Sequence, residues 1–151
     1  GGSAVELSSV SKKSAKIAAL IEDCRGKGWD PHYLGFFECF NRQLFFEAHD
    51  VLEELWLAGG RTAPNYGFHK GLIQLAGAFV HLQKDRLRPA VSLFNLAEQH
   101  LGAYPARHDG CDLGAILRLI ADWRGRVETG GWQVNPLPVS EPPRLARPDP
   151  P

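Results

Sequence analysis

The chain has 151 residues, 44% of them hydrophobic, enough for one compact domain with a sizeable core. Its 17 basic and 17 acidic side chains cancel, which excludes the overall positive field that drives nonspecific nucleic-acid binding, so no nucleic-acid partner is expected. No apolar run approaches the roughly 18 to 20 residues that span a bilayer, and no charged region followed by an apolar one opens the chain; the expectation is a cytoplasmic protein with no membrane partner.

In chain order, Gly1-Gly2-Ser3 looks like a tag remnant, and residues 1–8 are set aside as that remnant and a flexible N-terminus. Apolar residues recur at helical spacing from Val10 through Ile17, Leu20, Ile21 and Cys24, predicting a first helix that Gly26 and Gly28 can end. Asp30-Pro31, a capping residue before a proline at the first helical position, opens a second helix carrying Tyr33, Phe36, Phe37 and Phe40 and ending near Asn41. A third runs from Leu44 to Leu57 and stops at Gly59-Gly60; a fourth starts at Pro64 or Asn65 and continues to about Lys84. A tight connection at Asp85 leads into a fifth helix with Ala90, Val91, Phe94, Ala97 and Leu101 on one face, antiparallel to the fourth. Leu113, Ile116, Leu117, Ile120, Trp123 and Val127 mark a sixth.

The fold class expected is therefore all-α. It is a compact bundle of five to six helices built from antiparallel hairpins, a single domain over residues 9–130, with a proline-rich tail over 131–151 that is extended or disordered. Cys24, Cys39 and Cys111 are odd in number, widely spaced and without a CxxC pair, so they read as buried or half-buried free thiols.

Two helices carry polar residues on faces that are otherwise apolar. At about 100° per residue, Leu52, Phe45, Trp56, His49, Glu53 and Phe46 share an arc of roughly 120° on the third helix, with Glu47, Asp50 and Glu54 turned towards water. His49 and Glu53 are four residues apart and can touch, and a buried carboxylate needs a partner. The fourth helix has a bulky face of Phe68, Leu72, Leu75, Ala76 and Phe79, and a small polar one of Gly67, Gly71, Gln74, Ala78 and His81. Such a helix is expected to be central, with Gly71 allowing close packing. If the small face meets the third helix, His49, Glu53, Gln74 and His81 form one cluster walled by Trp56. His69 reads as a packed core histidine, and His32, His100 and His108 as exposed residues of helix ends or loops.

Phe40-Asn41, then Phe45-Phe46-Glu47-Ala48-His49-Asp50-Val51-Leu52-Glu53-Glu54-Leu55-Trp56, then Gly71-Leu72-Ile73-Gln74-Leu75-Ala76 together resemble the domain-of-unknown-function family three hundred and nine. The likeness covers roughly Phe36 to Leu101; aspartate stands at position 50, where glutamate is usual. The resemblance implies a small helical bundle and no known reaction.

The reading that follows is a binding or scaffold module, more a binder than an enzyme, with His49, Glu53, Trp56, Gln74 and His81 as its polar cluster. Its partner is an unidentified small molecule or protein, homo-oligomerisation is left open, and no cofactor is expected. The alternative is a metal-dependent, hydrolase-like enzyme holding a divalent ion through His49, Glu53 and His81, although HExxH and paired ExxH patterns are absent. In a third, purely structural reading the cluster only fixes packing. No nucleophile elbow, phosphate loop or dinucleotide fingerprint occurs.

Overall fold

The structure, a computed structural model, describes residues 12–151; the segment read in the sequence as a tag remnant and N-terminus, and Val10, where the first helix is expected to begin, lie outside the described residues. Within them the chain forms α1 (12–20), a 3-10 turn at Glu22–Cys24, α2 (Pro31–Asn41), α3 (Phe45–Gly59), α4 (Tyr66–Gln83), α5 (Leu87–Leu101), β1 (Arg107–His108), β2 (Cys111–Asp112) and α6 (Leu113–Thr129). The helices pack in antiparallel pairs. α4 lies between α3 and α5, with α2 against α3 and α6 against α5.

Local chemistry sets the ends of these helices. Asp30 accepts the His32 amide at 2.8 Å ahead of Pro31, and Asp112 accepts the Ala115 amide at 3.0 Å at the start of α6. α2, α4 and α6 all finish in a Schellman motif, in which one residue turns left-handed and the next amide reaches back into the last turn. Those residues are Gln43 (φ 63°), Asp85 (φ 57°) and Gly131 (φ 65°), and the closing bonds run from Leu44 N–H to Cys39 O, Arg86 N–H to His81 O and Trp132 N–H to Val127 O.

The only sheet among the described residues is a two-stranded antiparallel hairpin turning on Asp109 (φ 47°) and Gly110 (φ 70°), the paired left-handed conformations of a type I′ turn. The sequence reading passes over it, although Asp-Gly is a strong hairpin signal. Alternation over such short strands is invisible.

Phe79 of α4 is the hub of the core. Its ring lies 5.1 to 5.5 Å from those of Phe40, Phe45, Phe94 and Trp123, so one side chain ties α2, α3, α5 and α6 to α4. Gly71 faces α5: a Cβ there would sit 2.7 Å from Leu101 Cγ and 3.2 Å from His100 Cβ. The bulky face of α4 is buried; the small one meets α5, not α3, at Gly71, while Gln74 and His81 on that face stay half-buried. All three cysteines are buried free thiols.

Beyond α6 the chain has no regular secondary structure, yet it lies along the bundle as an extended strap. Trp132 stacks under the Arg88 guanidinium, Asn135 donates to Leu82 O, and Asn41 exchanges two bonds with Leu145: Nδ2 to its carbonyl at 2.8 Å, and its amide to Oδ1 at 2.7 Å. Arg147 pairs with Glu38, and Asp149 pairs with Arg107 while its amide donates to Gly110 O at 2.8 Å. Pro136, Pro143, Leu145 and Pro148 are buried.

Candidate functional site

A groove of about 260 Å³ opens between α3, α4 and α5. Phe46 and His49 of α3 form one wall, Ile73, Gln74, Gly77, Val80 and His81 of α4 the floor, and Leu93 of α5 the other wall. Lys84 stands at its end, placed there by the Schellman turn that closes α4. Phe46, half exposed at 52%, stacks its ring nearly parallel to that of His49.

Of the residues singled out in the sequence, His49, Gln74 and His81 meet on this groove; Glu53 and Trp56 do not. His49 Nδ1 lies 3.2 Å from Asp50 Oδ1 and its Nε2 lies 3.5 Å from Glu53 Oε2, so the expected i,i+4 contact forms but is a loose one. Glu53 turns towards α1, where Lys13 approaches it at 3.9 Å. Gln74 does not join them. Its Oε1 lies 2.8 Å from Nδ1 of His100, which also meets Leu96 O at 3.0 Å. A carbonyl only accepts, so this Nδ1 carries a proton and donates. The single bonded cluster of His49, Glu53 and Gln74 is thus replaced by two pairs, because α5 and not α3 supplies the partner of Gln74.

Trp56 packs against Tyr66 with ring centroids 5.1 Å apart, and Lys70 lies over both rings. It lines a separate depression of about 230 Å³ with Leu57, Gly60 and Arg61. Its Nε1 and His81 Nδ1 are both buried with no hydrogen-bond partner among the described residues. Burial, helped by the positive charges of Arg86 and Lys84, pulls His81 below the ordinary imidazole value of 6.5, so the ring is neutral at pH 7.

The metal alternative lacks its ligand set, since among the described residues no three His, Cys, Asp or Glu side chains converge as a metal would require. His49 and His81 share the groove, but Glu53 points away from it.

Of the remaining histidines, His32 and His108 are more fully engaged than their sequence reading as exposed residues, while His69 matches its reading. His32 bridges Asp30 at 2.9 Å and Glu54 at 3.0 Å, so Glu54, its side chain 37% exposed, meets a neighbouring element as well as water. His108 Nε2 donates to Asn65 Oδ1 at 2.7 Å, while Asn65 Nδ2 donates to Asp109 Oδ2 at 2.7 Å and Tyr33 donates to the Asp109 carbonyl. These bonds tie the β-hairpin to α2 and α4, and every member has a partner. His69 is half-buried beside Tyr33 and Phe68, and burial lowers its pKa as a core position would.

Phe46, Ile73, Gly77, Val80, Lys84 and Leu93 are the groove residues that the sequence reading leaves out as site members. Lys84 stands three residues after His81, a spacing that puts the two on neighbouring helical positions, but it reads in sequence only as a helix end.

Among described residues no helix is long and apolar enough to cross a membrane. No curated protein and no solved structure matches the chain. Over residues 33–93, which run from α2 into α5 and include His49, Gln74 and His81, the chain carries a domain of unknown function, DUF309.

Proposed function

We propose that this protein is a helical binding module whose groove between α3, α4 and α5 takes a small amphipathic organic acid. The observation that carries the reading is the pairing of His81, with a buried Nδ1 left unpartnered, and Lys84, with no ion-pair partner among the described residues, at one end of a groove whose remaining surface is mostly apolar. A buried polar atom without a partner costs about 1 to 3 kcal/mol, and a ligand towards which the His81 ring turns to make the missing bond regains part of that cost as affinity. Phe46, Ile73, Val80 and Leu93 offer an apolar bed, and no carboxylate lines the groove. One lysine beside a neutral histidine matches a single negative charge better than a phosphate dianion. The volume is near the lower end of the range for ligand pockets, about 300 Å³, which suits a short-chain or single-ring acid.

Hexanoate and hexanol, which share an apolar body and differ in the head, test this by titration into isotope-labelled protein. Hexanoate should give saturable amide shifts at Gln74, Gly77, His81 and Lys84, and Lys84→Met should weaken it about tenfold while leaving hexanol nearly unchanged, a difference of about 1.4 kcal/mol. Equal response to the acid and the alcohol would remove the charged head from the proposal, and no saturable shift with either would remove the site.

A further inference from the structure

A second groove lies beside α2 and is occupied in part by the chain itself. Trp29 Nε1 donates to the main-chain carbonyl of Asp149 at 2.7 Å, and its ring meets that of Tyr33 edge-on. Pro148 and Pro150 line the groove together with Phe37, and the ring of Pro151 lies against Gly28, where an added Cβ would come within 2.9 Å of it. Arg147 is paired with Glu38 on one side and Asp149 with Arg107 on the other. An indole N–H on a carbonyl between two prolines, on an aromatic floor with a carboxylate for a flanking arginine, is the chemistry by which aromatic grooves recognise extended proline-rich peptides. Prolines hold their own φ near −65° and push the preceding residue into an extended conformation, so Arg147, Asp149 and Pro150 are all pre-extended and lose little entropy on docking.

None of these contacts requires the peptide to be covalently part of the bundle. Nor does the resident segment fill its seat. A cavity of about 240 Å³ remains, with Cys24, Leu34 and Phe37 among its walls and Pro148 and Pro150 facing them. The groove stays open to solvent beside the segment, so a competing segment has room to enter.

We infer that the Trp29 groove is a recognition site for proline-rich peptides of the pattern Arg-Pro-acid-Pro-Pro, filled in cis by residues 147–151 and open to the same pattern on a separate polypeptide once that segment lifts. The cis segment competes at an effective concentration on the order of millimolar, so binding in trans is weak in the parent and strengthens when the strap is loosened.

The test uses the whole chain and a fluorescent peptide of the sequence of residues 141–151, read by anisotropy and by the indole N–H signal of Trp29. Leu145→Asp removes the buried anchor upstream of the groove without touching the groove. It should tighten peptide binding at least about tenfold over the parent. Arg147→Glu, at a side chain 71% exposed, reverses one flanking pair without threatening the core and should act in the same direction, so the test stands even where Leu145→Asp does not fold. Trp29→Phe added to either variant should abolish the gain, and a peptide with all its prolines replaced by alanine should not bind. Folded loosened variants that bind the proline peptide no better than the parent, or that bind the alanine peptide equally well, would overturn the inference.

Discussion

Cys39 and Cys111 show what burial does to a group that is normally ready to ionise. Burial is the first cause in both cases, pushing Cys39 up to about 11 and Cys111 up to about 12 from an ordinary 9.0, and Tyr33 moves in the same direction. The native chain therefore keeps thiol protons that the unfolded chain gives up, so stability is intact below about pH 9 and falls as the pH rises towards 11. Urea midpoints should drop between pH 8 and pH 10.5, and a thiol reagent should react slowly with native protein and quickly in denaturant. An unchanged midpoint over that range would show that these groups ionise as freely folded as unfolded.

At the scale of the element, α4 depends on a glycine and α2 tolerates the lack of one. Gly71→Ala places a methyl 2.7 Å from the branch point of Leu101, a fully buried side chain that has nowhere to retreat, so calorimetry should register a loss of about 1 to 3 kcal/mol. Gln43 is the reverse. It holds φ at 63°, where glycine sits without strain, and Gln43→Gly should raise stability by about 0.5 to 1 kcal/mol, since the Schellman bonds are made by the backbone alone. A decrease would mean that the Gln43 side chain contributes more than its backbone conformation costs.

Helix boundaries were legible because capping residues, glycines and apolar spacing all point the same way: Asp30-Pro31 starts α2 where the sequence places it. The facing of α3 was less legible. Its buried residues are Phe45, Ala48, Val51 and Leu52, whereas an arc drawn through the bulkiest side chains runs through Phe46, His49 and Glu53. Ala48 and Val51 contribute little to such an arc, yet a small residue is what a closely packed helix presents to its neighbour. Shifting the buried stripe by that much leaves His49 and Glu53 on its shoulder, each about 30% exposed, and removes Trp56 from the wall of the groove. Gln74 was assigned to the right face of α4 but to the wrong neighbour, because the partner of a small face is a tertiary choice that no spacing encodes.

Across the whole molecule, the strap over residues 132–151 was the least legible part. Its prolines and charges have no period, and its order comes from single anchors spread over α2, α4, α5 and the hairpin. The two-bond pairing of Asn41 with Leu145 is the anchor most open to test, since Asn41→Asp keeps the size, loses the donor and sets a carboxylate against a carbonyl. The expected cost is about 1 to 3 kcal/mol. Hydrogen exchange should rise first at the Leu145 amide and then along residues 143–149; protection equal to the parent would mean that the other anchors suffice.

That same pairing bears on where an excised version of this protein can be cut. Asn41 belongs to the span 33–93, while the backbone it grips lies some fifty positions beyond that span, and α5 crosses its boundary. A fragment trimmed to the matched span would keep the asparagine and discard what satisfies it, together with α6, whose Trp123 packs on the Phe79 hub. The stretch by which the protein is recognised is thus shorter than the stretch that can stand alone. Expression boundaries set by the match alone should yield aggregation-prone material, whereas those that include residue 149 should not.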